Sequence, residues 1–381
     1  MSADRTNWNP RSASDVVSIT AVVDRAGGRA PVHSRIGLRR AARPPCASID
    51  LRVQGARMPR FAALVAALAL LTLPAAAPAQ TTVVRTADPA KRGLKESDFP
   101  RTTKVADNVY TYEDFHAGPE KFTTTNMFVI YDDGVLVADG QGTPAATKGL
   151  VDAIAKITPK PIKYVVICSD HGDHTGGNKA FPPDVKYVVH PLSKAALDRE
   201  SERGGAAEGP PARGAAARWR LPIDAELVFA RKPLVVRGED IQVLFLGRAH
   251  TGGDLTVYLP RKKILFLSET FLNRVFPAMR SAYPSDWLKA LDRAEAMKAD
   301  LYIPGHGFTE SGPVSKEELA AFRKALAAVV AEATRLYKAR VPVDEAVKKA
   351  NWGEYASWTL ASSQGPIAVR RVYEELSGAL K

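Results

Sequence analysis

The feature that most restricts how this chain can fold is a junction. The apolar run Tyr164-Val165-Val166-Ile167 stops at a polar loop, Ser169 to Asn178, that carries His171, Asp173 and His174. A short continuous apolar run of this kind reads as a buried strand. Upstream, a helical stretch from Ala145 to Lys156 ends before Pro159-Lys160-Pro161, which marks the turn into that strand. The histidines of the loop therefore fall at the carboxyl end of a strand, where open sheets place their ligands.

Strand signals recur on both sides of the junction. From about Val105 the pattern is of short apolar segments closed by turn residues. Asn126 to Tyr131, Asp132-Asp133-Gly134 and Val135 to Asp139 read as a hairpin ending in an acid. Tyr187 to Val189, Leu227 to Phe229, Ile241 to Phe245, Leu255 to Leu259 and Ile264 to Leu267 read as further strands. From Ser315 the pattern turns helical, over Glu317 to Tyr337, Val343 to Ala350 and Ala368 to Leu380. That is a C-terminal helical extension, placed to pack on the core or to make a homodimer contact. Between Glu202 and Ala217 a Gly/Ala/Pro-rich stretch without periodicity reads as an exposed loop, either a tolerated insertion or a substrate lid.

The chain has 381 residues, 45% of them hydrophobic, which allows one catalytic domain with extensions. Its formal charge of +12 suggests nucleic acid until its distribution is inspected. Residues 1–79 hold 11 Arg, no Lys and 4 Asp, so only +5 remains for everything after Ala79. That modest balance argues against a nucleic-acid partner. Met58-Pro59-Arg60, an apolar run from Phe61 to Leu73, and Ala77-Pro78-Ala79 together form a secretory signal peptide pattern, with cleavage near Ala79. An uncleaved membrane anchor is the alternative; after cleavage no stable membrane insertion is expected, and the product is periplasmic or secreted. The 57 residues upstream are either disordered or translated ahead of the true start at Met58, and the second reading is preferred. Cys46 falls in that stretch and Cys168 stands alone, so the mature chain forms no internal disulfide.

Of seven histidines, His171, His174 and His250 lie in polar Gly-rich loops beside strands, and His306 sits in Pro304-Gly305-His306-Gly307. A core histidine normally occupies an apolar element with one satisfied partner. Gly-flanked histidines at strand ends leave room for an ion and its water. Asp173 adds a carboxylate, and imidazole with carboxylate suits zinc, with iron or manganese as competitors. His190, before Pro191, reads as a strand-end surface residue, and His33 lies ahead of the signal segment.

With these residues in place, the chain resembles the metallo-β-lactamase superfamily from about Ala106 to Gly312. The loop reads Ser169-Asp170-His171-Gly172-Asp173-His174, the next histidine stands in His250-Thr251-Gly252-Gly253-Asp254, and the last is His306. The resemblance implies an α+β fold, a four-layer αβ/βα sandwich with the site along one edge. Together with the signal-peptide pattern and the helical periodicity after Ser315, it divides the chain into a disordered or mis-assigned extension at 1–57, a signal peptide at 58–79, the catalytic domain at 80–312 and the helical extension at 313–381. It also implies a metal set of His171, Asp173, His174, His250 and His306, with Glu269 near the family's bridging aspartate, either as a ligand or in support. Ser169 replaces the family's first histidine and is a poor zinc ligand. The first metal position then keeps only His171 and His250, while the second retains Asp173, His174 and His306. Asp139 orients the loop or merely stabilises a turn, and Ser169, Asp170 and His116 border the substrate or support the ligands.

The function that follows is an exported hydrolase holding one or two Zn2+ ions. It would cleave an ester, lactone, thioester or amide bond of a small molecule, a β-lactam being one member of that set, with Asp173 positioning the water or acting as base. No lysine closely follows Glu269 in the manner of one lactamase subclass. Two rivals stand beside it: a mononuclear iron enzyme acting on sulfur compounds, and a non-catalytic periplasmic accessory protein with a degraded site.

Overall fold

The computed structural model describes residues 84–116, 121–205 and 219–380. The signal-peptide pattern, Cys46 and His33 lie outside them, as does the loop from residue 206 to Ala217.

The first half of the domain comprises strands β1 (Arg101–Ala106), β2 (Val109–Phe115), β3 (Thr123–Tyr131) and β4 (Gly134–Ala138), helix α1 (Pro144–Ile157) and strand β5 (Ile162–Val166). Next come the short helix α2 (Gly172–Thr175), β6 (Lys186–Val189), α3 (Pro191–Gly205) and β7 (Glu226–Leu227). The second half comprises β8 (Arg231–Val235), β9 (Asp240–Phe245), β10 (Leu255–Leu259), β11 (Ile264–Leu272), α4 (Pro284–Ala296) and β12 (Leu301–His306). Helices α5 (Gly312–Lys338), α6 (Val343–Lys349) and α7 (Ala361–Leu376) follow.

Two groups of strands result, β7-β6-β5-β4-β3 with β2 and β1, and β12-β11-β10-β9-β8. The paired residues His306 and Thr124 join them. Strand periodicity then builds the layers. In β3, Met127 and Val129 pack in one core with Ile264 and Phe266 of β11, so the two groups of strands face each other. Phe128 and Ile130 point the other way, against Leu150 and Ile154 of α1. Leu265 and Leu267 of β11 face Trp287 of α4 and Leu319, Phe322 and Leu326 of α5. Helix, strand, strand and helix layers follow from that alternation, and the fold is α+β with C-terminal helices.

Helix α1 starts where the sequence supplies a cap: Thr143 accepts a hydrogen bond from the Ala146 N–H at 3.2 Å, and Pro144 occupies the first turn. Its buried Thr147, Leu150 and Ile154 recur at helical spacing. The C-terminal helices are part of the main core rather than an appendage, since Phe322 of α5 and Val372 of α7 share one cluster with Trp287. Each fully buried side chain of this size stabilises by about 1.5–3 kcal/mol. Among the described residues no helix is long and apolar enough to cross a membrane. Helix α3 covers the start of the stretch read as an irregular loop, through Gly205.

Candidate metal centre

The loop after β5 is wound by its own backbone. His171 takes the N-cap position of α2, its carbonyl accepting the His174 N–H at 3.0 Å and the Thr175 hydroxyl at 2.9 Å. One helical turn thus aims His171, Asp173 and His174 into the same space. His306 arrives from the end of β12, where Gly305 is obligatory: a Cβ there would stand 2.5 Å from the Ser268 backbone. Glu269 comes from β11 directly after a break in pairing at Ser268, whose φ is 48°. Bulges re-aim side chains in this way. His250 comes from the loop between β9 and β10, pinned by the Asp254 carboxylate, which accepts the Thr251 N–H and hydroxyl, both at 2.7 Å.

Two donor sets form, and they share Glu269. In the first, His171 Nδ1, His250 Nε2 and the Glu269 carboxylate oxygens lie 3.0–3.1 Å apart. In the second, His306 Nε2 lies 3.0 Å from Asp173 Oδ2, 3.3 Å from Glu269 Oε1 and 3.4 Å from His174 Nε2, with His174 Nε2 3.6 Å from Asp173 Oδ2. Ligands about 2.0–2.1 Å from a tetrahedral zinc lie roughly 3.4 Å from one another, so the second set has the dimensions of such a shell.

The far side of three of the four imidazoles is occupied, which decides the nitrogen left free in each, whereas the buried His250 Nδ1 has no partner among the described residues. His306 Nδ1 lies 3.0 Å from the Thr123 carbonyl, His174 Nδ1 lies 3.1 Å from Asp139 Oδ2, and His171 Nε2 meets the Ser281 hydroxyl at 3.1 Å. Supporting groups of this kind fix tautomer and ring orientation at metal sites. Electrostatics agree. Burial alone would lower the His171 pKa, but the Glu269 charge and hydrogen bond outweigh it and push it up to about 10. His306 is likewise held at about 10 by Asp173 and Glu269 against the cost of burial. Burial also works against the Glu269 carboxylate, yet His250, His171 and His174 draw it well below the usual range. Buried acids that bind protons this tightly on neighbouring imidazoles form a pocket that demands positive charge, and the donor chemistry fits a divalent ion.

A family model described as the metallo-beta-lactamase superfamily matches residues 121–306. This domain belongs to the metallo-β-lactamase superfamily. Among curated relatives, the 2,4-dinitroanisole O-demethylase subunit alpha of Nocardioides sp. is 24% identical over 46% of this chain and 50% of its own length. The linear primary-alkylsulfatase of Pseudomonas sp. is 26% identical over 65% of this chain and 54% of its own. The chain therefore spans about half the length of these relatives. Among solved structures, the stereoselective inverting sec-alkylsulfatase of Pseudomonas sp. aligns with a TM-score of 0.55 and 18% identity, covering 72% of this chain and 50% of the other. That likeness concerns the fold.

Against the superfamily's motif, one expectation needs amending. The first position is not left with His171 and His250 alone, because the bulge at Ser268 brings Glu269 into both donor sets. Of the two roles expected of Ser169, the geometry agrees with support of the ligands: it is fully buried, and its hydroxyl donates to Glu269. Asp139 is also fully buried, accepting the Cys168 N–H at 2.7 Å and the Ser268 hydroxyl at 2.5 Å, so it supports His174 rather than touching substrate. Asp170 and His116 do line the cavity, and His116 Nδ1 stands 3.3 Å from Asp173 Oδ2, with its ring stacked on Phe122. His190 is not a surface residue; it is buried and stacked on Phe245. Ser281 was not foreseen, since a lone serine in a loop 110 residues from His171 carries no sequence signal.

Proposed function

We propose that this chain is a two-zinc hydrolase that cleaves an ester, lactone, thioester or amide bond of a small molecule. The observation that carries the reading is the single carboxylate of Glu269 shared by two complete donor sets. His171, His250 and Glu269 hold one ion, and Asp173, His174, His306 and Glu269 hold the other. When bound, the ions supply a water acidified toward neutrality and polarise the substrate oxygen. Both sets open into one cavity of about 760 Å³, a size suited to a small molecule. A degraded accessory site would have no reason to keep seven donor atoms in register, which favours catalysis.

The protein's own groups do the rest. Asp173 orients the attacking water through its carboxylate. Ser281 holds His171 by its Nε2, Thr123 holds His306 by its Nδ1, and the buried Asp139 holds His174, so that the donor atoms need no rearrangement. Phe122 and Leu272 contribute apolar wall that limits access of bulk water. Export through the Met58–Ala79 segment belongs to the same proposal.

The test is metal content by elemental mass spectrometry on protein beginning at Gln80, with ester, lactone, thioester and β-lactam hydrolysis followed in parallel. Two zinc ions per chain, with activity lost to chelator and restored by zinc, is the expected result. A single iron with no hydrolysis would replace this reading by the iron enzyme, and absence of any metal would leave an accessory protein.

A further inference from the structure

Between β11 and α4, residues 276–283 form neither helix nor strand, yet two loops of the metal centre lean on the last three of them. The Ser281 hydroxyl meets His171 Nε2 at 3.1 Å. The Tyr283 N–H donates to the Ala249 carbonyl at 2.9 Å, and Ala249 directly precedes His250. The Ala249 N–H in turn donates to the Thr251 carbonyl at 2.9 Å, so the His250 loop closes on the residue that Tyr283 holds. Arg248, from the same loop, stacks its guanidinium over the Tyr283 ring at 4.1 Å and is fixed by Asp286 at 2.6 Å. Ser281 and Tyr283 thus serve the two imidazoles of the first donor set, one each.

Ala282 stands between them. It is fully buried, and its carbonyl accepts from Arg371 Nε of α7 at 2.6 Å, across 89 residues of chain. A buried carbonyl without a donor costs free energy, and Arg371 supplies the donor. The guanidinium is itself held: its Nη1 donates to Glu374 at 3.0 Å, and it lies 5.7 Å from the centre of the Tyr283 ring. The next residue, Val372, is fully buried in the core that contains Ala249, Ala282 and Trp287. Nε is therefore presented by a packed helix, which fixes a group more closely than a loop does. Helix α7 also touches α4, where Glu375 accepts the Ser285 N–H at 3.0 Å and its hydroxyl at 2.7 Å.

We propose that Arg371 is a positioning residue for the first metal position: through the Ala282 carbonyl it sets Ser281 against His171 and Tyr283 against the His250 loop. The assignment rests on the two-metal reading and deepens it. The set of His171, His250 and Glu269 depends on α7, which lies outside the stretch 121–306 matched by the superfamily. The other set is braced from elsewhere, His306 by Thr123 of β3 and His174 by Asp139 after β4.

Two variants separate this hydrogen bond from side-chain bulk. Glutamine carries an NH2 donor at the chain position of the arginine Nε, where methionine carries a methyl. Zinc affinities at the two positions are read by competition with a chromophoric chelator. Arg371→Met should weaken the position of His171 and His250 by about 10-fold and leave the other unchanged, while Arg371→Gln keeps most of the lost affinity. Glu375→Ala, which removes the contact of α7 with Ser285, should move neither affinity, whatever it does to the melting temperature. If the methionine variant does not fold, Arg371→Lys, whose donors lie one atom farther out, takes its place, with a selective loss of about 3-fold expected. Equal weakening at both positions, no weakening, or a glutamine variant as weak as its replacement would overturn the assignment. If the wild type holds no zinc at the first position, the two-metal reading fails, and Arg371 is judged on metal-free protein by amide hydrogen exchange. Faster exchange of the Tyr283 N–H in the methionine or lysine variant than in Arg371→Gln then supports the bracing, and equal exchange overturns it.

Discussion

The hydroxyl of Ser169 donates to the carboxylate of Glu269, which belongs to both donor sets. Serine here stands as a hydrogen-bond donor where the superfamily has a ligating histidine, and in the proposed two-zinc reading the carboxylate it steadies takes over that role. Removing that donor with Ser169→Ala should loosen the ion held by His171 and His250 by about 10-fold while the Asp173, His174 and His306 position keeps its ion. Competition with a chromophoric chelator resolves the two affinities. Equal weakening at both positions would show that Ser169 supports the site as a whole rather than the first position.

Glu269→Gln tests the sharing itself. An amide contributes one neutral oxygen where the carboxylate offers two charged ones, and the buried imidazoles lose the charge that holds them. Zinc should fall from two ions per chain to one or fewer, and hydrolysis by at least about 100-fold, since outer partners alone account for 10–100-fold. Two tightly held ions in this variant would remove Glu269 from the ligand set.

Asp139→Asn follows from which way each atom points. Oδ1 accepts the Cys168 N–H, while Oδ2 faces His174 Nδ1 at 3.1 Å. In the variant the carbonyl keeps the backbone bond, which turns the amide NH2 toward Nδ1. The imidazole proton is then forced onto Nε2, the atom needed for the metal. Asparagine tolerates the local φ of 64°, so the backbone should survive. Zinc affinity at the second position should drop about 10–100-fold with little change in the metal-free melting temperature. Unchanged affinity would mean that Asp139 only braces the turn.

Much of this arrangement was legible in the sequence, for identifiable reasons. The apolar run Tyr164–Ile167 and the hairpin around Gly134 appear as strands because periodicity reports burial directly. The four histidines and Asp173 converge because each stands at a strand end, which fixes its position without knowledge of distant contacts. Strand β12 was not visible, since Pro304 and Gly305 are poor strand residues, and Gly305 is required there by the close approach of the Ser268 backbone. The start of α7 was hidden by Pro366, which sits within the helix, so the sequence pattern began at Ala368. Whether Glu269 reaches the site depends on a bulge at Ser268 that no local preference announces. Gln364 reaches the cavity lining from beyond the strands because Val275 pairs with Thr359, a contact between residues 84 apart in the chain.

Asp254 gives a pH dependence whose sign can be worked out. Burial raises its pKa from the ordinary 3.8 to about 7, against the stabilising hydrogen bonds from Thr251. Between pH 4 and pH 7 the folded protein therefore holds a proton that the unfolded chain has released. Stability contributed through this group is greatest below pH 4, falls as pH rises through that window, and is flat above it. The full difference is at most on the order of 4 kcal/mol, taking about 1.4 kcal/mol per unit of pKa. Asp254→Asn cannot titrate; it keeps an oxygen for the Thr251 N–H and loses the acceptor for the Thr251 hydroxyl, a cost that does not vary with pH. In metal-free protein, the melting temperature of the variant relative to wild type should accordingly rise by several degrees between pH 5 and pH 8. A gap that stays constant across that range would mean that Asp254 is ionised throughout and holds the His250 loop as a charged cap.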